Sequence, residues 1–299
     1  METTNMAQDD ERSDIPLPLE PGDRLVLSCD VGSIDIGRVE PGGTPRIEVR
    51  GRHASEAHLD VRREGTTVYV EAKPAASMAA LLFGRGARVR MRAYVPADVH
   101  ARLTTAAGRM RISGLEGCAL EIEAEAGSVE LDDVFGTLRL VTEAGRIEGR
   151  NVGGTIDART EAGAIRLEIA HLDPGRHEVV TTMGSARLEL ARGLPVVVNA
   201  RATMGSAKVD VRSTPGAAAL LDVSAELGSV RVRESGRPYH PRDGAAPLEA
   251  GPFRTAASAS TEPRVQVSEE TLDRILGRVA SGEITPEAAA RLLRALGHA

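Results

Sequence analysis

Between Leu103 and Arg233 one short phrase returns seven times: TTAAGRMRI (104–112), EAEAGSVEL (123–131), VTEAGRIEG (141–149), RTEAGAIRL (159–167), TTMGSARLE (181–189), ATMGSAKVD (202–210) and SAELGSVRV (224–232). Its pivots, Gly108, Gly127, Gly145, Gly163, Gly184, Gly205 and Gly228, follow at steps of 19, 18, 18, 21, 21 and 23 residues. A fixed period near twenty marks a stacked repeat architecture. Around each pivot apolar and polar residues alternate. Ile156, Ala158, Thr160 and Ala162 precede Gly163, and Ile165, Leu167 and Ile169 follow it, with Asp157, Arg159, Glu161, Arg166 and Glu168 between. Period two predicts strand, tight turn, strand, with one face buried. The pivot glycine suits a reversal that needs positive φ, and a second breaker (Gly114, Gly136, Gly153, Gly175, Gly193 or Gly216) closes each unit. No such unit buries its apolar face alone, so neighbours must stack.

Seven coils at about 4.8 Å each give a rod about 34 Å long. Only 2% of the residues are aromatic and Trp is absent, which suits a narrow interior between sheets about 10 Å apart and leaves no room inside for a ligand-sized apolar pocket. The expected fold is all-β: a right-handed β-solenoid-like stack of two-strand rungs with an N-terminal antiparallel β cap, plus a small C-terminal α-helical hairpin.

Working outward from the repeats, residues 1–22 are polar and read as a disordered leader. Order is expected over residues 23–233, with a cap at 23–102 and rungs at 103–233. LVLSCDVGSIDIG (25–37) is a diverged copy of the phrase, pivoting on Gly32 with Ile34 and Ile36 behind it, and RIEVRG (46–51), HLDVRR (58–63) and TTVYVEA (66–72) read as short cap strands. In PAASMAALLFGRGARVRMRAY (74–94), the stretch from Met78 to Arg92 mixes apolar residues with arginines and could rest on an anionic membrane surface. The alternation favours a loop followed by a strand with Val89 and Met91 inward and Arg88, Arg90 and Arg92 in water. Residues 234–267 are rich in Pro, Gly, Ala and Ser and read as a flexible linker.

Residues 268–299 predict a helical hairpin. Ser268 caps a helix striped by Leu272, Ile275, Leu276 and Val279, and Gly282 stops it; Thr285 and Pro286 start a second helix striped by Ala289, Leu292, Leu293 and Leu296. Thirty-two residues without cysteine are too few to fold alone, so self-association or a helical protein partner is expected through this hairpin.

The run VPADVHARLTTAAGRMRISGLEG (95–117), followed by the EAGS, EAGR and EAGA turns at 125–128, 143–146 and 161–164, resembles the bacterial adhesin-like family known as the toastrack domain of unknown function. The resemblance spans residues 23–233. The helical phrase resembles the bihelical SHOCT-like module that accompanies such domains. Together they imply a non-enzymatic protein-interaction or scaffold role in bacterial envelope-stress regulation. The alternatives are a peripheral membrane-surface component and a surface adhesin.

Catalytic chemistry is hard to find in the chain. It has no GK dipeptide, no HExxH, no CxxC and no EF-hand spacing. His53, His58, His100, His171, His177, His240 and His298 are scattered and read as solvated, while Cys29 and Cys118 read as small buried hydrophobes. No catalytic residue, cofactor site or metal site is assigned. A net charge of −6, three Tyr, three Phe and no Trp argue against nucleic-acid binding. With no signal-peptide pattern and no apolar run of membrane-spanning length, the expected location is the cytoplasm. One ladder stands out: Glu125, Glu143 and Glu161, each two residues before a pivot, stack about 4.8 Å apart on consecutive coils. We expect them exposed and screened by Arg109 and Arg146, with a Ca²⁺ bridging the carboxylates as the alternative.

Overall fold

Alternating residues with a glycine at each corner fold into strands that run through their pivots unbroken. The computed structural model describes residues 12–50, 58–73 and 89–241. The strands are β1 (Arg12–Pro16), β2 (Arg24–Arg38), β3 (Arg46–Arg50), β4 (His58–Glu64), β5 (Thr67–Lys73), β6 (Val89–Val95), β7 (His100–Leu172), β8 (Gly175–Arg192), β9 (Val197–Asp210) and β10 (Ala219–Pro238). The described part is all-β. β7 alone carries four of the repeated phrases, bending at Gly108, Gly127, Gly145 and Gly163.

Successive levels pair in parallel with pivot opposite pivot: Gly32 with Gly108, Gly163 with Gly184, Gly184 with Gly228, and Gly228 with Gly205. The pivots meet so closely that side chains are excluded. A Cβ on Gly184, whose φ is +147°, would lie 1.7 Å from the carbonyl oxygen of Gly163. Glycine is therefore required by contact between levels as well as by φ.

The pivot also shifts the alternation. Inward positions are the seventh, fifth and third residues before each glycine and the second and fourth after it, as in Ile156, Ala158, Thr160, Ile165 and Leu167. Ala162, expected inside, is half-buried at the corner. The inward residues form one continuous apolar core from Leu17 to Val232. Its polar exceptions include a column three residues before the pivots, where the buried hydroxyls of Thr142, Thr160 and Thr181 have no hydrogen-bond partner.

Three expectations need correction. Residues 1–22 are not a disordered leader throughout, because β1 pairs antiparallel with β3 from Arg12 opposite Arg50 to Pro16 opposite Arg46. The region 23–102 is not simply an antiparallel cap. β2 is a full level of the parallel stack, and β5 and β6 pair in parallel with its two halves. Antiparallel pairing is confined to β1 with β3, β3 with β6 and β4 with β5. Finally, the levels do not follow chain order at the far end: β10 lies between β8 and β9.

In β6, Met91 is buried while Arg90 and Arg92 are exposed, as the alternation predicts, and Arg92 reaches Asp35 at 3.5 Å. The rest of the Met78–Arg88 stretch lies outside the described residues. β10 continues to Pro238, five residues into the expected linker. The described residues belong to one compact unit, Met1–Leu248; a second unit, Glu249–Ala299, contains the expected hairpin and lies outside them.

Candidate interaction ridge

The corner where the pivots stack is a ridge built from three columns of side chains. Two residues before the pivots stand Asp30, Glu125, Glu143, Glu161 and Glu226, all exposed. One residue before them stand Ala126, Ala144 and Ala162, giving way in the last levels to Met183, Leu227 and Met204. Those three are 52%, 44% and 66% exposed. One residue after the pivots the column is short and polar, as Ser128, Ser185 and Ser229, except at Arg109, Arg146 and Ala164.

The carboxylate ladder is exposed as expected, but the arginines do not screen it. Arg109 turns to Glu130 at 3.3 Å and Arg146 to Glu148 at 3.4 Å. Both arginines follow the pivot, so their side chains run over the face behind the corner, where those acids stand. Among the described residues no ion pair reaches Glu125, Glu143 or Glu161. No group of three or more His, Cys, Asp or Glu is placed to hold a metal ion among them.

The flanking faces, by contrast, pair their charges across levels. Before the corner, Arg102 reaches Glu123 at 3.0 Å and Arg159 bridges Asp157 at 2.8 Å and Glu178 at 2.7 Å. After it, Arg111 reaches Glu130 at 2.6 Å, Arg166 reaches Glu148 at 3.1 Å, and Arg233 pairs with Glu189. Each exposed pair adds little stability, typically below about 1 kcal/mol. Their consequence is electrostatic: much of the charge on the faces is paired, while the ridge carboxylates have no ion pair among the described residues and lead into an apolar strip in the last levels.

An open groove of about 520 Å³ lies on another part of the surface, among Asp35, Arg38, Arg92, Tyr94, Arg111 and Asp132. Asp133 also lines it and, like Asn151, adopts left-handed backbone, with φ of 56° and 51°, and the Asn151 amide donates to the Asp133 carboxylate. Arginines and aspartates balance along the groove, so it favours neither anion nor cation.

His177 is a correction. It was expected in a solvated turn, yet it is fully buried seven residues before Gly184, in the column that holds Ile156 and Leu221 in neighbouring levels. The Ile156 N–H donates to its Nδ1 at 3.2 Å, so the neutral ring carries its proton on Nε2 and donates to the Asp173 carbonyl at 2.8 Å. Burial pushes its pKa below the ordinary histidine value. His171 is half-buried, stacked parallel to the Tyr239 ring at 6.0 Å and 3.2 Å from Asp173. His240 is exposed, and His53 and His298 lie outside the described residues. Cys29 and Cys118 are buried and unpaired; burial raises their thiols to about 11 and about 12, which leaves them protonated and unreactive near neutrality.

Asp30, Glu226 and the Met183–Leu227–Met204 strip are the ridge residues that sequence reasoning missed. The signal was present in the phrases TTMGS, ATMGS and AELGS, where a large residue replaces alanine before the pivot.

No helix long and apolar enough to cross a membrane occurs among the described residues. No curated protein matches the chain. Among solved structures, the chain is similar to a candidate cell adhesion protein from Clostridium sporogenes, with 12% identity and a TM-score of 0.38, covering 76% of this chain and all of that one. A candidate adhesin from Parabacteroides merdae gives 12% identity and a TM-score of 0.33, covering 75% and 95%. A candidate lipid binding protein from Parabacteroides distasonis gives 10% and 0.25, covering 79% and 98%. Residues 98–218, which include the pivots from Gly108 to Gly205, match the family described as Toastrack DUF4097.

Proposed function

We propose that this chain is a non-enzymatic interaction protein, a right-handed β-solenoid that receives a protein partner along the pivot ridge. The supporting observation is the contrast between ridge and faces. Glu125, Glu143 and Glu161 stand exposed without ion pairs among the described residues, on a ridge that continues into an apolar strip, while many of the charges on the faces are paired across levels. A partner with basic side chains flanking an apolar segment complements that pattern, and the uncompensated carboxylates would speed its encounter. The setting we propose is bacterial envelope-stress regulation, on the toastrack resemblance and on the SHOCT-like reading of residues 268–299 as an association module.

The test is affinity capture from native-cell lysate with the wild-type chain and with the triple variant Glu125→Gln, Glu143→Gln, Glu161→Gln. The expected result is a partner that the triple variant loses and that raised salt releases from wild type. Identical capture by both chains would show that the ridge is not the binding face.

A further inference from the structure

The far end of the stack is unfinished. β9 is the last level and pairs only with β10 among the described residues. The start of its outer edge is closed by the following segment, since Thr214 N–H donates to the Val196 carbonyl at 2.9 Å and Val198 N–H to Ser213 Oγ at 3.4 Å. From Asn199 to Asp210 no further backbone partner is found among the described residues. Neither proline nor a bulge blunts this edge among the described residues; its only guards are the charges of Arg201, Lys208 and Asp210.

The side chains are unfinished too. Val209 occupies an inward column whose occupants Leu188 and Val232 are 1% and 0% exposed, yet it is 40% exposed. Ala207, in the next inward column, is exposed where Ala186 and Val230 are buried. The apolar strip of the ridge also ends here, at Met204.

We infer that this edge pairs with the same edge of a second copy, β9 antiparallel to β9 about a two-fold axis near the corner. A second copy suits the edge because its charges complement themselves in one register. Antiparallel neighbours point to the same face, so Ala202 and Val209, both core-facing, must oppose residues of their own kind. The register that sets Ala202 opposite Val209 also sets Arg201 opposite Asp210, and two-fold symmetry makes that pair twice. Sliding two residues one way puts Arg201 opposite Lys208, and the other way puts it opposite Arg212; like charges oppose in both. Antiparallel pairing also closes after two copies, whereas a parallel repeat of the same edge would not. The contact adjoins the end of the ridge at Met204, and the ridge variant in the test below tells it apart from the partner proposed there.

The test uses the full chain in sedimentation equilibrium over a range of concentrations. A monomer–dimer equilibrium is expected, weakened about tenfold or more by Arg201→Asp and restored by adding Asp210→Arg. At concentrations where every chain is monomeric, all variants should keep the wild-type melting temperature. Independently, Arg201→Cys with Asp210→Cys should oxidise to a disulfide-linked dimer, which neither single variant forms. The triple glutamine variant of the ridge should dimerise as wild type does. A chain monomeric throughout, a dimer indifferent to Arg201→Asp, or association that the charge reversal does not restore would overturn the inference.

Discussion

His177 carries its chemistry in the tautomer its neighbours impose. Its Nδ1 faces the Ile156 N–H, so a second ring proton would meet a donor and break the hydrogen bond. The folded-state pKa is lowered, and the sign of the pH effect follows. Above the unfolded value near 6.5 the ring is neutral in both states and stability is insensitive to it. As pH falls below that value the unfolded chain takes up a proton that the native ring refuses, so stability is lost until pH reaches the lowered folded pKa. Over that window the slope approaches about 1.4 kcal/mol per pH unit. Urea titrations between neutral pH and pH 5 should show this loss, and His177→Leu, which fits a column shared with Leu221 and Ile156, should flatten it. An unchanged slope in the variant would mean that the ring is protonated in the folded protein.

Among the elements, the bent strand is the unit that repeats, and its glycine column makes the repeat possible. Gly184→Ala must push a methyl into the Gly163 carbonyl, and the cost should be on the order of 4 kcal/mol or more. Gly175→Ala is the control: its φ is +130°, but nothing lies within 4 Å of the added atom. That leaves only the backbone cost, about 1 to 3 kcal/mol. Differential scanning calorimetry of both variants checks the order, and equal losses would mean that φ alone selects glycine. Here the sequence was readable because the phrase carries both signals, period two and a glycine at fixed spacing. Spacing alone could not show that Ala162 leaves the core at the corner; His177 stands as far before Gly184 as Ile156 does before Gly163, so its burial was legible in the phrase and only the turn reading hid it. The ladder of Glu125, Glu143 and Glu161 was legible from the same spacing. Its screening was not, since whether Arg109 turns to the ladder or to Glu130 depends on which side of the corner the side chain leaves.

At the scale of the whole molecule, order along the chain and order along the stack part company after β8. The phrase at Gly205 precedes the one at Gly228, yet the Gly228 level lies inside and the Gly205 level ends the stack. The two phrases resemble each other too closely for pattern alone to decide which is terminal. Their surroundings differ: β10 keeps Val223, Val230 and Val232 buried, whereas β9 offers Ala200, Ala207 and Val209 at the matching positions and leaves the last two exposed. In a stack stabilised by nearest neighbours, the end level has one interface where an inner level has two, so it opens first. Hydrogen exchange followed by mass spectrometry should therefore find amides from Asn199 to Asp210 exchanging well before those from Leu221 to Val232. The measurement belongs on the Arg201→Asp variant, in which pairing between copies does not protect the edge. If the two segments exchange in the reverse order, the chain stacks in sequence order, β10 is the terminal level, and the edge offered to a second copy is a different one.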